Sequence, residues 1–167
     1  MKKILITGCN GFLGNHILSK LLDEKQFGFI EKILGIDNFI TSKRSIKNQI
    51  NPKYSFIEAD LINFDFDQVD DFDTVIHLAS LASPVYYKKF PLETIDIGTS
   101  VTRKLLEKCK KWNARFLFFS SSEIYGNPSP DNIPTREDYK GYVSCQGSRS
   151  CYYESKRLGE TLCYVYN

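Results

Sequence analysis

The chain has 167 residues, of which 42% are hydrophobic and 25% charged, enough for one globular domain with a real core. Its formal charge of +2, with no stripe of Lys and Arg, gives no electrostatic footprint for nucleic acid. The opening "MKKILITG" has too short an apolar run for a signal peptide, and nothing approaches the roughly 18 apolar residues of a membrane helix. Five cysteines (Cys9, Cys109, Cys145, Cys151 and Cys163) are an odd number with no Cys-x-x-Cys pair. That argues for reduced thiols in a cytosolic setting, so a cytoplasmic protein is expected. His16 and His77 sit apart from Cys or acidic residues at ligand spacing, and no metal site is expected.

In chain order the sequence alternates between apolar runs and helical patterns. "KILIT" reads as a first strand, followed by glycines and then a helix, "FLGNHILSKLLDE". There Leu13, Ile17 and Leu21 recur every four residues, with Leu18 and Leu22 beside them, and predict a buried face. "KILGID", "YSFIEAD" and "TVIHLA" read as strands two to four. "TSVTRKLLEKCKKW" reads as a helix with its lysines outward, and "ARFLFFSS" as strand five. A polar loop containing "GNPSPDNIP" leads to a last helix, "YYESKRLGETLCYVY", with Leu158, Leu162 and Val165 on one stripe. Nearly all-apolar strands alternating with helices predict an α/β fold, a Rossmann-like doubly wound parallel sheet covered on both faces. A loop of that length inside a compact domain usually carries function.

Three stretches bear chemistry. "GCNGFLG" places Gly8, Gly11 and Gly14 between a strand and a helix. Backbone can then approach a pyrophosphate, and the helix N-terminus offers free N–H groups and partial positive charge. Asp37 follows at the end of strand two, 23 residues after Gly14, where a carboxylate can accept ribose hydroxyls. It would repel a 2′-phosphate, which favours NAD over NADP, while Lys43 and Arg44 nearby leave some NADP tolerance. Asp60, ending strand three, suits either an adenine amine or a turn; His77, inside an apolar strand, reads as a core histidine. The second stretch is "SSSEIYG", Ser120 to Gly126, which caps strand five and stands where ligands bind in open parallel sheets. The third is "CYYESK": Tyr152 and Lys156, four apart, share a helix face, and Tyr153, three before the lysine, competes for the same role.

In that order the motifs resemble the extended short-chain dehydrogenase/reductase family, also described as NAD-dependent epimerases and dehydratases. Within it "HLASLASPVYY", "SSSEIYG" and "SRSCYYESKRLGETLC" are most similar to the decarboxylases that convert UDP-glucuronate to UDP-xylose. The resemblance covers the whole chain and implies that Tyr152 is the base, assisted by Lys156, with Ser121, Ser122 and Glu123 at the sugar. It implies NAD contacts from Gly8, Gly11, Phe12, Leu13, Gly14, Asp37, Asn38, Asp60, Leu61, Leu78, Ala79, Ser80, Ser120, Tyr152 and Lys156. Substrate contacts are implied for Ser83, Tyr87, Ser121 and Glu123. The chain departs from the pattern at Tyr153, where the family usually has Asp, and at Gly98, where many members carry an Asn that supports the active-site backbone. Related 4,6-dehydratases carry Asp-Glu where this chain has Ser122-Glu123, and 4-epimerases usually lack the carboxylate. Other nucleotide-sugar epimerases or dehydratases, and a non-catalytic NAD-binding fragment, are the rival readings.

The resemblance further implies a homodimer through the "VTRKLLEKC" helix and the helix after Tyr152. It also implies more strands and a smaller C-terminal region that grips the nucleotide sugar. Residues 1–167 are therefore expected to be an incomplete NAD-binding domain of a longer enzyme. Alone they are expected to bind NAD weakly and to show no decarboxylation.

Overall fold

The computed structural model describes residues 2–42 and 51–167; Lys43 and Arg44, invoked for NADP tolerance, lie outside the described residues. The described strands are β1 (Lys2–Thr7), β2 (Ile30–Asp37), β3 (Tyr54–Glu58), β4 (Thr74–His77) and β5 (Arg115–Phe118). They form one parallel sheet in the order β3-β2-β1-β4-β5. Helices α1 (Phe12–Leu21) and α2 (Glu24–Phe27) follow β1, and α3 (Pro84–Lys89) and α4 (Pro91–Asp96) follow β4. A π turn (Ile97–Val101) joins α4 to α5 (Thr102–Trp112), and α6 (Ser150–Tyr166) comes last.

Side chains alternate across the sheet, and both sets are buried. On one face Leu5, Leu34, Ile36 and Val75 pack with Val101, Leu105 and Cys109 and with Phe64, Phe66 and Phe72. On the other, Ile4, Ile6, Ile33 and Ile76 meet Leu18 of α1. Two covered faces explain why the strands read as continuous apolar runs rather than as alternating ones. The strand order reverses between β1 and β4, so the connections leaving their carboxyl ends diverge and open a crevice there.

Two expectations about buried faces change. Leu13 is 50% exposed because it points into that crevice, and Leu18 instead anchors α1. On α6 the Leu158–Val165 stripe is open, at 47% and 70% exposure. The buried side is Tyr152, Ser155, Lys156 and Gly159, whose small members let the helix lie close to the sheet. The helix predicted from residue 99 begins earlier, as α4 and the π turn run without a break into α5. Among the described residues no helix is long and apolar enough to cross a membrane, and no cluster of potential metal ligands occurs. All five cysteines are free thiols.

His77 is a core residue. Its Nδ1 lies 2.6 Å from Thr7 Oγ1 and its Nε2 3.3 Å from the Ile97 carbonyl. Burial lowers its pKa from 6.5 to about 3. The unfolded chain then binds the extra proton between pH 6.5 and 3, so stability falls as pH drops through that window. Urea unfolding of a His77→Asn variant should show a shallower acid loss than the parent; equal slopes would contradict the assignment.

Candidate active site

Gly8 turns the chain out of β1 with φ +70°, a conformation that costs glycine nothing. A Cβ there would stand 2.6 Å from the Ala79 nitrogen, so the loops after β1 and β4 touch backbone to backbone. α1 then begins without a side-chain cap and without an acidic residue in its first turn. Its free N–H groups and its positive dipole end face the crevice, an arrangement suited to a pyrophosphate. The cradle fits a dinucleotide because its narrowest point holds no side chain.

Asp37 closes β2 with both oxygens engaged. Oδ2 accepts the Asn10 N–H at 2.8 Å and Oδ1 the Phe39 N–H at 2.8 Å. The carboxylate thereby ties the glycine loop to the loop after β2, and each oxygen keeps a lone pair for a ribose hydroxyl. Asp37, Asn38, Asp60, Leu61, Leu78, Ala79 and Ser80 line one recess, and Ile40 and Thr41 join them. Asp60 lies beyond the end of β3, is exposed, and accepts the Ile62 N–H at 3.1 Å, so the turn role read for it is present. Cys9 beside the loop is no nucleophile, since burial pushes its thiol up to about 12.

The adjoining recess is lined by Gly8, Gly11, Phe12, Leu13, Gly14, Ser83, Ser120, Tyr152 and Lys156. α6 brings the last two in from the opposite side. Lys156 is 4% exposed; its Nζ donates to the Phe119 carbonyl at 2.6 Å and lies 5.9 Å from the centre of the Tyr152 ring. Burial lowers its pKa from 10.5 to about 8. Tyr152 is itself buried, and its ring stacks on that of Tyr87 with centroids 5.3 Å apart and planes 16° off parallel. Tyr87, expected at the substrate, is 1% exposed and backs the Tyr152 ring instead of lining the recess.

Ser121 caps the short turn Ser122–Tyr125 and accepts the Glu123 N–H at 3.3 Å, leaving its own hydroxyl proton available. Ser122 is exposed, and Glu123 is paired with Arg149, so neither side chain lines the recess. The Arg149 guanidinium also lies 5.3 Å from the centre of the Tyr153 ring. Partial burial and the Glu123 carboxylate raise the Tyr153 pKa, which disfavours its phenolate. Arg149, Thr41 and Tyr86 were not read from the sequence. Tyr86 adjoins Tyr87 in "SPVYYKK" and Arg149 sits just before the helix of "CYYESK", but only tertiary contact gives either a role.

A parallel sheet with a glycine cradle at its reversal point and a buried Tyr–Lys pair beside it is the arrangement of a dinucleotide-binding domain. Residues 4–167 match the family described as "NAD dependent epimerase/dehydratase family". The chain belongs to that family. It is 38% identical over 167 residues to UDP-glucuronic acid decarboxylase 1 of Danio rerio, covering 99% of this chain and 38% of that protein. It is also 38% identical to UDP-glucuronic acid decarboxylase 6 of Arabidopsis thaliana, covering 99% of this chain and 46% of that one. Among solved structures it resembles the UDP-glucuronic acid 4-epimerase of Bacillus cereus in complex with NAD. The two are 30% identical with a TM-score of 0.78, over 98% of this chain and 52% of that one. The UDP-N-acetylglucosamine 4-epimerase of Methanobrevibacter ruminantium is similar too, 30% identical with a TM-score of 0.80, over 99% and 50%. The chain thus spans less than half the length of these curated relatives.

Proposed function

We propose that the whole protein is an NAD-dependent nucleotide-sugar decarboxylase that converts UDP-glucuronate to UDP-xylose through a 4-keto sugar. The observation that carries this is the placement of Tyr152 and Lys156 against the glycine cradle, with Ser121, Ser122 and Glu123 at the neighbouring strand end. The cofactor would be held by Gly8, Gly11 and the first turn of α1 at the pyrophosphate and by Asp37 at the ribose. When bound, NAD supplies a reversible hydride acceptor for the sugar C4.

The chain's own groups move the proton. Tyr152 takes it from the 4-hydroxyl, which Ser121 orients. A tyrosine with an ordinary pKa of about 10 needs help at neutral pH, and the Lys156 ammonium one turn away favours the phenolate. Oxidation at C4 makes the sugar a β-keto acid, and carbon dioxide leaves as its bonding electrons flow toward the ketone. C5 then takes a proton, the hydride returns to C4, and Tyr152 gives its proton back to the 4-oxygen, so that UDP-xylose forms with no net oxidation. Ser122 and Glu123 are the groups nearest in sequence to serve C5. An acid that expels water, which a 4,6-dehydratase needs, is replaced here by Ser122. The epimerase likeness of the solved neighbours favours a second reading, inversion at C4. Incubating the whole protein with UDP-glucuronate separates the two: decarboxylation yields a UDP-pentose, epimerisation a UDP-hexuronate. A UDP-hexuronate product would overturn the proposal.

Two further expectations belong to this reading. Unmodified protein should bind NAD better than NADP, and Asp37→Ala should narrow the ratio by about tenfold or more, because the repelling carboxylate is gone. Calorimetry showing equal affinities in the parent would remove Asp37 from this role. A homodimer through α5 and α6 is supported by the open Leu158, Tyr164 and Val165 on α6. Light scattering at micromolar concentration should give twice the chain mass, and a strict monomer would contradict it.

A further inference from the structure

The turn of α6 that carries Tyr152 and Lys156 is seated on a glycine. Gly98 is buried in the π turn, and a Cβ built there would stand 2.7 Å from Ser155 Cβ and 2.9 Å from Ser155 Oγ. Two helices this close admit one side chain at the crossing, and Ser155 supplies it. Ser155 is 1% exposed, lies between Tyr152 and Lys156 in sequence, and donates its hydroxyl to the Tyr152 carbonyl at 2.8 Å. Such a bond from a helical serine to its own backbone alters the local helix and fixes the turn it spans. The π turn is itself held from below. The carbonyl of Ile97, next to Gly98, accepts from Thr102 Oγ1 at 3.3 Å and lies 3.3 Å from His77 Nε2. With the neutral imidazole donating through Nε2, its Nδ1 accepts from Thr7 Oγ1, one residue before Gly8. A contiguous set of contacts therefore runs from the glycine loop through His77 and the π turn to the backbone of Tyr152. π turns inserted in α-helices recur at functional sites.

We propose that Ser155, seated on Gly98, is a positioning residue that sets where the Tyr152 hydroxyl stands relative to Lys156 and to the cradle. The inference rests on Tyr152 being the proton acceptor. It excludes any side chain at 98 while Ser155 is present, and it makes residues 98 and 155 a coupled pair.

The test uses the whole protein and its turnover of UDP-glucuronate, with Tyr152→Phe as reference. Ser155→Ala keeps the Cβ and removes only the hydroxyl. It should lower kcat about tenfold and shift the acid limb of the kcat–pH profile, with NAD affinity unchanged. Gly98→Ala, which forces the helices apart, should lower kcat about a hundredfold. Gly98→Ala combined with Ser155→Gly should return to the level of Ser155→Gly alone. Losses that multiply in the double variant, or a pH limb unmoved by Ser155→Ala, would overturn the inference while leaving the proposed function standing. Full turnover in Tyr152→Phe would instead sink the role of Tyr152, and this inference with it.

Discussion

Replacing Tyr152 by Phe in the whole protein should lower turnover by about a thousandfold, while NAD affinity stays near that of the parent. The substitution removes one oxygen. The ring and its stacking on Tyr87 remain, so the recess keeps its shape. Tyr153→Phe, one residue on, should retain most activity. Its ring is what lies beside Arg149, and a phenylalanine ring can do the same. Partial burial and the Glu123 carboxylate raise the pKa of the Tyr153 hydroxyl, a direction that disfavours its ionised form. Steady-state rates with each variant decide the matter, and the reverse ranking would show that the neighbouring tyrosine is the base.

Lys156→Met should likewise lower kcat about a hundredfold or more, because the phenolate loses its cationic neighbour. The same change has an opposite signature in stability. A lysine whose pKa falls from 10.5 to about 8 on folding leaves the unfolded chain holding more protons between those values. Stability contributed by this residue therefore rises with pH from 8 to 10.5, and below pH 8 the buried ammonium costs about 3 kcal/mol. Methionine keeps the packed stem and removes that cost, offset by about 1–2 kcal/mol for the lost hydrogen bond to the Phe119 carbonyl. At pH 7 the variant should be at least as stable as the parent. Between pH 8 and 10.5 the parent should gain on it, as urea unfolding at the two ends would show. A parent that loses ground over that interval would contradict the buried, charge-bearing lysine.

The parts legible in the sequence were those whose constraint is local. Gly8, Gly11 and Gly14 follow an apolar strand, and the requirement for bare backbone is met within seven residues. Asp37 could be placed because a strand end fixes its position. Tyr152 and Lys156 could be placed on one face because helical spacing alone does so. Periodicity misled at Leu13 and along the Leu158–Val165 stripe, since an apolar residue facing a cleft or an open surface reads the same as one facing a core. Helices α3 and α4 are six residues each, too short for periodicity, although Pro84 and Pro91 at their starts are recognisable openings. The Arg149–Glu123 pair, the Tyr87–Tyr152 stack and the Gly98–Ser155 crossing all join distant segments. Sequence spacing carries no information about such contacts; topology does.

The most direct measurement follows the carboxyl carbon. UDP-glucuronate labelled with carbon-13 at its carboxyl group, incubated with the whole protein and NAD, should release the label as carbon dioxide and bicarbonate. The remaining product should be an unlabelled UDP-pentose, and the Tyr152→Phe variant should leave the label in place. A label that stays on a sugar acid while the parent protein turns the substrate over would contradict the account.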